Sequence, residues 1–310
     1  MRYGIASGIL WGLDTVILGI ALTMTPYFGT AEAIAFAAIA SSFLHDAFCA
    51  IWLFILMGIK HRLGNTLRAL RTKSALVVIL GAMLGGPIGM TGYVLAINNI
   101  GPAYTAIISA FYPALGALLS FLILKERMES RQVAALLVAL CGVMFMGYVS
   151  ASSTELGNPT VGLIGAALAV IGWGSEAVLC AWGMRDDAVD NATALQIRET
   201  ASAIVYGILI VPIFGAWGFT AQALPSIATS VIALSAAAGT CSYLMYYKGI
   251  GTIGAAKAMA LNISYSAWAV VFGFILQGTV PSMVSVICCV IILVGTTLAA
   301  SDWNELFHRE

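Results

Sequence analysis

Charge is what this sequence has least of. Only 9% of its 310 residues are Asp, Glu, Lys or Arg, against roughly 25% in a soluble domain. With 61% hydrophobic residues and a mean hydropathy of +0.97, a water-facing surface would be one continuous apolar patch. A soluble fold is excluded, and the solvent must be a bilayer. The formal net charge is zero, so the chain lacks the basic surface that a nucleic-acid partner requires. Histidine is scarce. There is no HExxH for an intramembrane metalloprotease, and His61 and His308 fall in a loop and in the tail. The cysteines Cys49, Cys141, Cys180, Cys241, Cys288 and Cys289 lie in apolar stretches without a CxxC pair. They read as small buried hydrophobes, neither metal ligands nor a disulfide framework. No GxxxxGK[ST] loop is present, nor a soluble domain to carry one. No ATP site and no other cofactor is implied, and any transport must draw on a gradient.

What the sequence has is apolar runs. A helix needs about 20 apolar residues to cross the hydrocarbon core. Ten runs qualify, at 3–24, 33–58, 75–97, 103–124, 132–150, 160–183, 194–216, 226–247, 256–277 and 281–300. The expected class is all-α, a polytopic membrane protein of ten transmembrane helices. The breaks carry turn chemistry at Tyr27 to Thr30, Asn98 to Pro102, Gly157-Asn158-Pro159 and Gly249-Ile250-Gly251, with the longest loop at 59–74. The N-terminus has no clear small-residue cleavage site and reads as a retained first span. Cytoplasmic loops hold an excess of Lys and Arg. With the N-terminus inside, ten spans put Lys60, Arg62, Arg68, Arg71, Lys73, Lys125, Arg127, Arg131 and Arg185 in inner loops. Arg2 and Arg309 fall on the inner termini, and Arg198, Lys248 and Lys257 at inner span ends. All 14 basic residues are then on one side. The expectation is a multi-pass protein of the bacterial inner (cytoplasmic) membrane with both termini cytoplasmic.

The two halves repeat. Trp11-Gly12-Leu13-Asp14 in span 1 parallels Trp173-Gly174-Ser175-Glu176 in span 6. Without a gap, Tyr93 to Phe121 aligns with Tyr246 to Phe274, pairing Ile100-Gly101 with Ile253-Gly254 and Tyr112 with Tyr265. Five spans per half is an odd number, so the second half enters from the opposite side. Residues 1–150 and 160–300 form inverted five-helix repeats, with 301–310 a cytoplasmic tail. Inverted repeats are the architecture by which one site is exposed to either side in turn. On these features, and on Lys125-Glu126-Arg127 after span 4, the chain resembles the EamA type of the drug/metabolite transporter superfamily. As a whole it is similar to the YddG-type aromatic amino-acid exporters. The resemblance implies a secondary transporter, not an enzyme, that exports small organic solutes, foremost aromatic amino acids. A drug or sugar-conjugate carrier of the same fold and a membrane scaffold are the alternatives. Members often carry Arg in the second span of each half. Arg198 fits, whereas span 2 offers His45-Asp46.

An acid near a helix centre costs about 2.5–3.5 kcal/mol on insertion scales, so it faces a wet cavity or a partner. Asp14 with Trp11, and Glu176 with Trp173, present one acid and one aromatic ring on a shared helical face. Either they wall a cavity and hold an ammonium group or a proton, or they bond a neighbouring helix. Tyr112 and Ser109 in span 4, and Tyr265 and Asn262 in span 9, are further cavity candidates. Gly85, Gly86, Pro87 and Gly89 in span 3, and Pro113 in span 4, are hinge candidates, because proline removes a helical hydrogen bond and glycine lowers propensity. Small-residue packing is the alternative. His45-Asp46 reads as a proton relay or a buried pair, and Tyr243, Tyr246 and Tyr247 as interface anchors. The partners are the bilayer, a small molecule such as an amino acid, and protons if the gradient is theirs. The default oligomeric state is a monomer.

Overall fold

In the core of a bilayer every backbone N–H and C=O must be satisfied within its own segment, which for apolar runs of this length selects the helix. The computed structural model describes residues 1–149, 158–186 and 188–303. Gly157, His308, Arg309 and most of the expected tail lie outside the described residues. Among the described residues every regular element is helical. Ten helices are long and apolar enough to span: α1 Arg2–Leu22, α2 Ala31–Ile59, α3 Lys73–Gly101, α4 Tyr104–Leu124, α5 Ser130–Tyr148, α6 Pro159–Gly183, α7 Asn191–Ile213, α8 Ile227–Ile253, α9 Ala255–Gln277 and α10 Met283–Ala300. Side-chain caps fix several starts. Thr30, Thr72, Asp190, Ser226 and Ser282 each accept from the backbone N–H three residues on, satisfying donors that the first helical turn leaves free.

The expected loop at 59–74 contains a short helix, Leu63–Ala69. The breaks expected at 98–102 and 249–251 are not loops. Helix runs on through Asn98-Asn99 and through Gly249-Ile250-Gly251, and turns at one residue in each half, Gly101 (φ 79°, ψ 160°) and Gly254 (φ 87°, ψ 159°). Only glycine enters this region of backbone space readily. The two glycines paired by the sequence repeat therefore have the same conformation, and each joins the third and fourth helices of its half without a connecting loop. As a result α8 reaches Ile253. Tyr246 and Tyr247 are buried in it, not placed at an interface, and the Tyr247 hydroxyl donates to Cys180 Sγ at 3.2 Å.

The repeats interlock. The first helix of each half packs on the third and fourth of the other: α1 on α8 and α9, α6 on α3 and α4. The Trp-Gly pairs show why. A Cβ at Gly12 would lie 2.6 Å from Trp268 Cβ, and one at Gly174 would lie 2.9 Å from the Tyr112 carbonyl oxygen. Glycine lets helix backbones approach to this distance. Large apolar side chains such as Ile51, Phe54, Leu118, Phe274 and Val290 cover the outside, where they meet lipid. Cys141 and Cys241 are exposed on that surface, contrary to the expectation of burial, while the other four cysteines are buried.

One link ties the halves at the end of α4. Lys125 ends the helix in a left-handed conformation (φ 62°). The next residue, Glu126, accepts from the free N–H groups of Ala255 (3.1 Å) and Ala256 (3.2 Å) at the start of α9. A carboxylate is favoured there by the unpaired donors and the helix dipole. A Cβ on Gly254 would stand 2.9 Å from this carboxylate, so Gly254 is required both by its φ and by its neighbour. Gly254→Ala should cost about 1–3 kcal/mol of backbone strain, read as a lower melting temperature in detergent. An unchanged melting temperature would show that the bend accepts a side chain.

A second link joins Arg62 to Asp190. Partial burial pushes the Asp190 carboxyl up, but donation from Arg62 and Thr193 outweighs it and leaves the carboxyl below its ordinary range. A depressed folded-state value means stability that is present above the unfolded-state pKa and lost as pH falls through the folded one. On acidification through the Asp range, about pH 4 and below, the melting temperature should fall more steeply for the natural chain than for Arg62→Ala. Parallel curves would show that the pair contributes nothing.

Candidate functional site

Two of the ten helices are broken at mid-depth. In α4 the helix stops at Ser109, turns through Ala110-Phe111 and restarts at Tyr112, with Pro113 in the new first turn. In α9 it stops at Asn262, turns through Ile263-Ser264 and restarts at Tyr265. Pro113 thus sits at a restart, where its missing N–H is harmless, rather than kinking a continuous helix. The second break has no proline. Ser109 matches Asn262 and Tyr112 matches Tyr265 in the repeat, so the breaks are related by it.

A cavity of about 410 Å³ lies between these breaks. Ser109, Tyr112, Trp173 and Tyr265 line it, together with Tyr93, Ser266 and residues of α5. Trp173 stands edge to face with Tyr112 at 5.9 Å and tilted against Tyr93 at 5.2 Å between centroids. Trp11, by symmetry the partner of Trp173, lies 6.2 Å from Tyr265 and 4.7 Å from Tyr243. Each tryptophan therefore packs on the tyrosine of the other repeat. Among the described residues that line the cavity none is charged. A groove of about 470 Å³ between α5 and α10 is lined mostly by aliphatic residues such as Val138, Val290 and Val294, together with Arg131 and Trp303. It faces lipid and holds none of the residues at the repeat axis.

Hydrogen bonds across the repeat axis close one side of the cavity. Tyr112 donates to Asn262 Oδ1 (3.1 Å), and Asn262 Nδ2 donates to Ser7 Oγ (2.7 Å). The symmetry-equivalent pair, Tyr265 and Ser109, makes no such bond among the described residues. The closed side is the side of the Glu126 link and of Gly254. The open side is that of Gly101, where Ala106, Met146 and Gly147 border the space.

Asp14 and Glu176 are not among the lining residues. Asp14, 4% exposed, faces His45 Nε2 at 3.1 Å and accepts from Ser235. Glu176 accepts from Arg198 Nε at 2.5 Å. Arg198, expected near the inner end of span 7, is seven residues inside α7, or about 10 Å along it at 1.5 Å per residue, and only 3% exposed. It also lies 2.8 Å from Glu199 Oε2 and 3.9 Å from Asp46 Oδ2, with its guanidinium 4.9 Å from the Tyr243 ring centre. Asp46 in turn accepts from Ser202 at 2.5 Å. The single Arg, from the second half, and His45-Asp46, from the first, thus meet in one cluster.

The hinge candidates in α3 fall in a segment that departs from the α-helix. Leu84–Met90 is a π-helical segment within a continuous span, with Pro87 inside it. The wider turn accommodates the missing donor of proline without a sharp break. Gly85 and Gly86 leave room for side chains: a Cβ on Gly85 would overlap the Glu176 carboxylate, and one on Gly86 would overlap the Ser202 hydroxyl. A Cβ on Gly89 would stand 3.2 Å from the Trp173 ring. Sequence reasoning missed Tyr93, Glu199 and Ser235. Tyr93 carried a signal, since it opens the ungapped repeat, and Glu199 sits next to the one Arg inside a span.

The profile of the EamA-like transporter family matches residues 2–148 and again 160–301. The chain belongs to the EamA-like transporter family. The family is one of small-solute transporters, not enzymes, with a multi-pass helical fold in two repeats. This EamA-like chain is similar to Protein LicB of Haemophilus influenzae (strain ATCC 51907 / DSM 11121 / KW20 / Rd), at 33% identity over 197 residues, 64% of this chain. The match spans just under two thirds of that relative, 65% of its length. A solved crystal structure superposes with a TM-score of 0.68 at 17% identity, over 96% of this chain and 95% of the other. That likeness concerns the EamA-like fold alone.

Breaking the Arg198 cluster should be costly, because it leaves uncompensated buried charge. Arg198→Met is expected to destabilise by about 3–5 kcal/mol, and Arg198→Lys should recover only part of this, since an ammonium cannot serve Glu176 and Glu199 in the planar geometry of a guanidinium. Melting curves of the purified variants measure both. A full recovery by Lys would show that charge alone matters.

Proposed function

We propose that this chain exports small organic solutes by alternating access, through a substrate site at the cavity between the broken helices of α4 and α9. The observation that carries the reading is the unequal state of two equivalent tyrosines. Tyr112 is bonded across the repeat axis to Asn262, while Tyr265 and Ser109 leave the same contact unmade. Exchanging the two states would close the open side and open the closed one. In this reading the repeats 1–150 and 160–300 rock about the glycine bends at Gly101 and Gly254. The Glu126 contact with α9 releases as the closed side opens. With both termini cytoplasmic and the chain in a bacterial inner membrane, the cavity opens outward and the Glu126 link closes the inner side.

The foremost substrate class is an amino acid with an aromatic side chain. Four aromatic side chains, Tyr93, Tyr112, Trp173 and Tyr265, offer faces and edges for stacking. The uncharged wall means that the substrate ammonium rests on ring faces and its carboxylate on Ser109, Ser266 or tyrosine hydroxyls. Asp14 and Glu176, held in their own cluster, leave this task to the cavity wall. A second reading, a lipophilic organic cation, is favoured by one observation: among the described lining residues there is no fixed cation to hold a carboxylate. The chain is expected to work as a monomer, since both broken helices and the cavity between them belong to one chain.

Uptake of labelled tryptophan, phenylalanine, threonine, a sugar and an aromatic quaternary ammonium by proteoliposomes of the purified protein tests this. Saturable uptake of the aromatic amino acids is the expected result. Uptake of the quaternary ammonium alone would select the second reading. Loss of one stacking partner worth about 0.5–1.5 kcal/mol should make Trp173→Ala roughly two- to tenfold weaker in half-saturation, with Trp173→Phe close to the natural chain. Equal transport by all three would exclude Trp173 from the site.

A further inference from the structure

The buried charged cluster beside the cavity is out of balance. Asp14 of α1, His45 and Asp46 of α2, Glu176 of α6, and Arg198 and Glu199 of α7 are joined by contacts from 2.5 to 3.9 Å. Four carboxylates face one permanent cation and one imidazole. Even with His45 charged, full ionisation leaves an excess of two negative charges, which burial strongly disfavours. The cluster must hold at least one carboxyl proton.

Three of the carboxylates are provided with donors. Asp14 has Ser235 and His45, Asp46 has Ser202, and Glu176 has the Arg198 Nε–H. Glu199 is the exception. It is 0% exposed, and among the described residues neither of its carboxyl oxygens has a hydrogen-bond partner. Arg198 Nη1 lies 2.8 Å from Oε2 but out of line for a hydrogen bond. The groups around Glu199 are Asp46, His45 and Cys49 of α2, Glu176 and Cys180 of α6, Arg198 of its own helix, and Tyr243 of α8 beyond the guanidinium. On the α3 side of the cluster, Gly85 faces Glu176 and Gly86 faces Ser202 and Asp46, and neither brings a charge. An acceptor-only carboxylate in such a place loses all its hydration, whereas a neutral carboxylic acid loses far less.

We propose that Glu199 is a proton-binding site, occupied at neutral pH, through which the chain couples solute movement to a proton gradient; this rests on the reading of the chain as a gradient-driven carrier. The step is a simple exchange. Glu199 carboxylate takes a proton from water on one side to become a carboxylic acid, and releases it to water on the other. Coupling runs through Arg198, which lies between Glu176 and Glu199. A deprotonated Glu199 competes for the guanidinium and weakens the bond to Glu176. Glu176 sits one helical turn from Trp173, which lines the cavity. The proton on Glu199 thereby sets how firmly the cavity wall is held.

Infrared titration of the purified protein tests the site without any solute. At neutral pH the natural chain should show the carbonyl stretch of a protonated carboxyl, and Glu199→Gln should lose it while Asp14→Asn keeps it. A band that survives in Glu199→Gln would overturn the proposal. If the Gln variant does not yield monodisperse protein, Glu199→Asp decides: a displaced band supports the site and an unmoved band rejects it. In proteoliposomes, tryptophan uptake by the natural chain should be faster with an imposed pH gradient than without one. In Glu199→Gln the two rates should become equal, and a retained difference would reject Glu199 as the coupling group. If the natural chain carries no tryptophan at all, the substrate reading fails, and the infrared result still decides the proton site by itself.

Discussion

The structure depends on covering broken backbone at the middle of a membrane. At the breaks in α4 and α9 the helical ladder gives way to tighter turn bonds, such as Phe111 N–H to the Ile108 carbonyl and Ser264 N–H to the Leu261 carbonyl, and any group left unsatisfied in hydrocarbon would cost several kcal/mol. Such backbone survives only against protein or a water-filled cavity. Here α6 covers the first break and α1 the second, each supplied by the opposite repeat. Close cover needs a helix without a side chain at the contact, which is the role of Gly12 and Gly174. The tryptophan before each glycine then reaches the restart tyrosine of the other half. One requirement, shielding two interrupted helices, explains the interlocked repeats, the Trp-Gly pairs and the aromatic walls together.

The same interlocking places polar groups in two separate layers. Next to the breaks is an uncharged aromatic cavity. Behind it, where α1, α2, α6, α7 and α8 meet, lies a charged cluster centred on Arg198. The separation follows from the helix faces. Trp173 and Glu176 are three residues apart on α6, close enough to share a side of the helix, yet Trp173 turns to Tyr112 and Tyr93 while Glu176 reaches Arg198. A carboxylate left in an aromatic cavity would need a counter-ion or water. Paired with a guanidinium, it is satisfied, and its position is fixed by the glycines of the π-helical segment in α3.

Symmetry and its violation carry different information. Gly101 and Gly254 have nearly identical backbone angles, so the bends are built into both repeats. Glu126 is not repeated: the residues after α9 offer no carboxylate at the matching place, and the bonded pair Tyr112–Asn262 has no bonded counterpart. Shared features belong to the scaffold, and the unshared ones record which side of the molecule is closed.

By itself the sequence determined the class, the ten spans, the repeat and the family. The class and the spans rest on length and composition, which the bilayer enforces segment by segment without reference to tertiary contacts; the repeat and the family resemblance rest on residues matched between the halves and on short motifs. It also picked out Ser109, Tyr112, Trp173 and Tyr265, because they mark the repeat and lie at mid-span. Tertiary structure alone decided where Asp14 and Glu176 turn, since a helix face says which way a side chain leaves its axis but not what waits there. It likewise decided that Tyr246 and Tyr247 are buried. Their burial follows from Gly254 rather than Gly249 ending α8, a choice among neighbouring glycines that hydropathy does not distinguish. Glu199 stayed hidden in the sequence for the same reason. Its neighbours come from three other helices, and only their packing shows that the acid beside the one intramembrane arginine has no hydrogen-bond donor of its own.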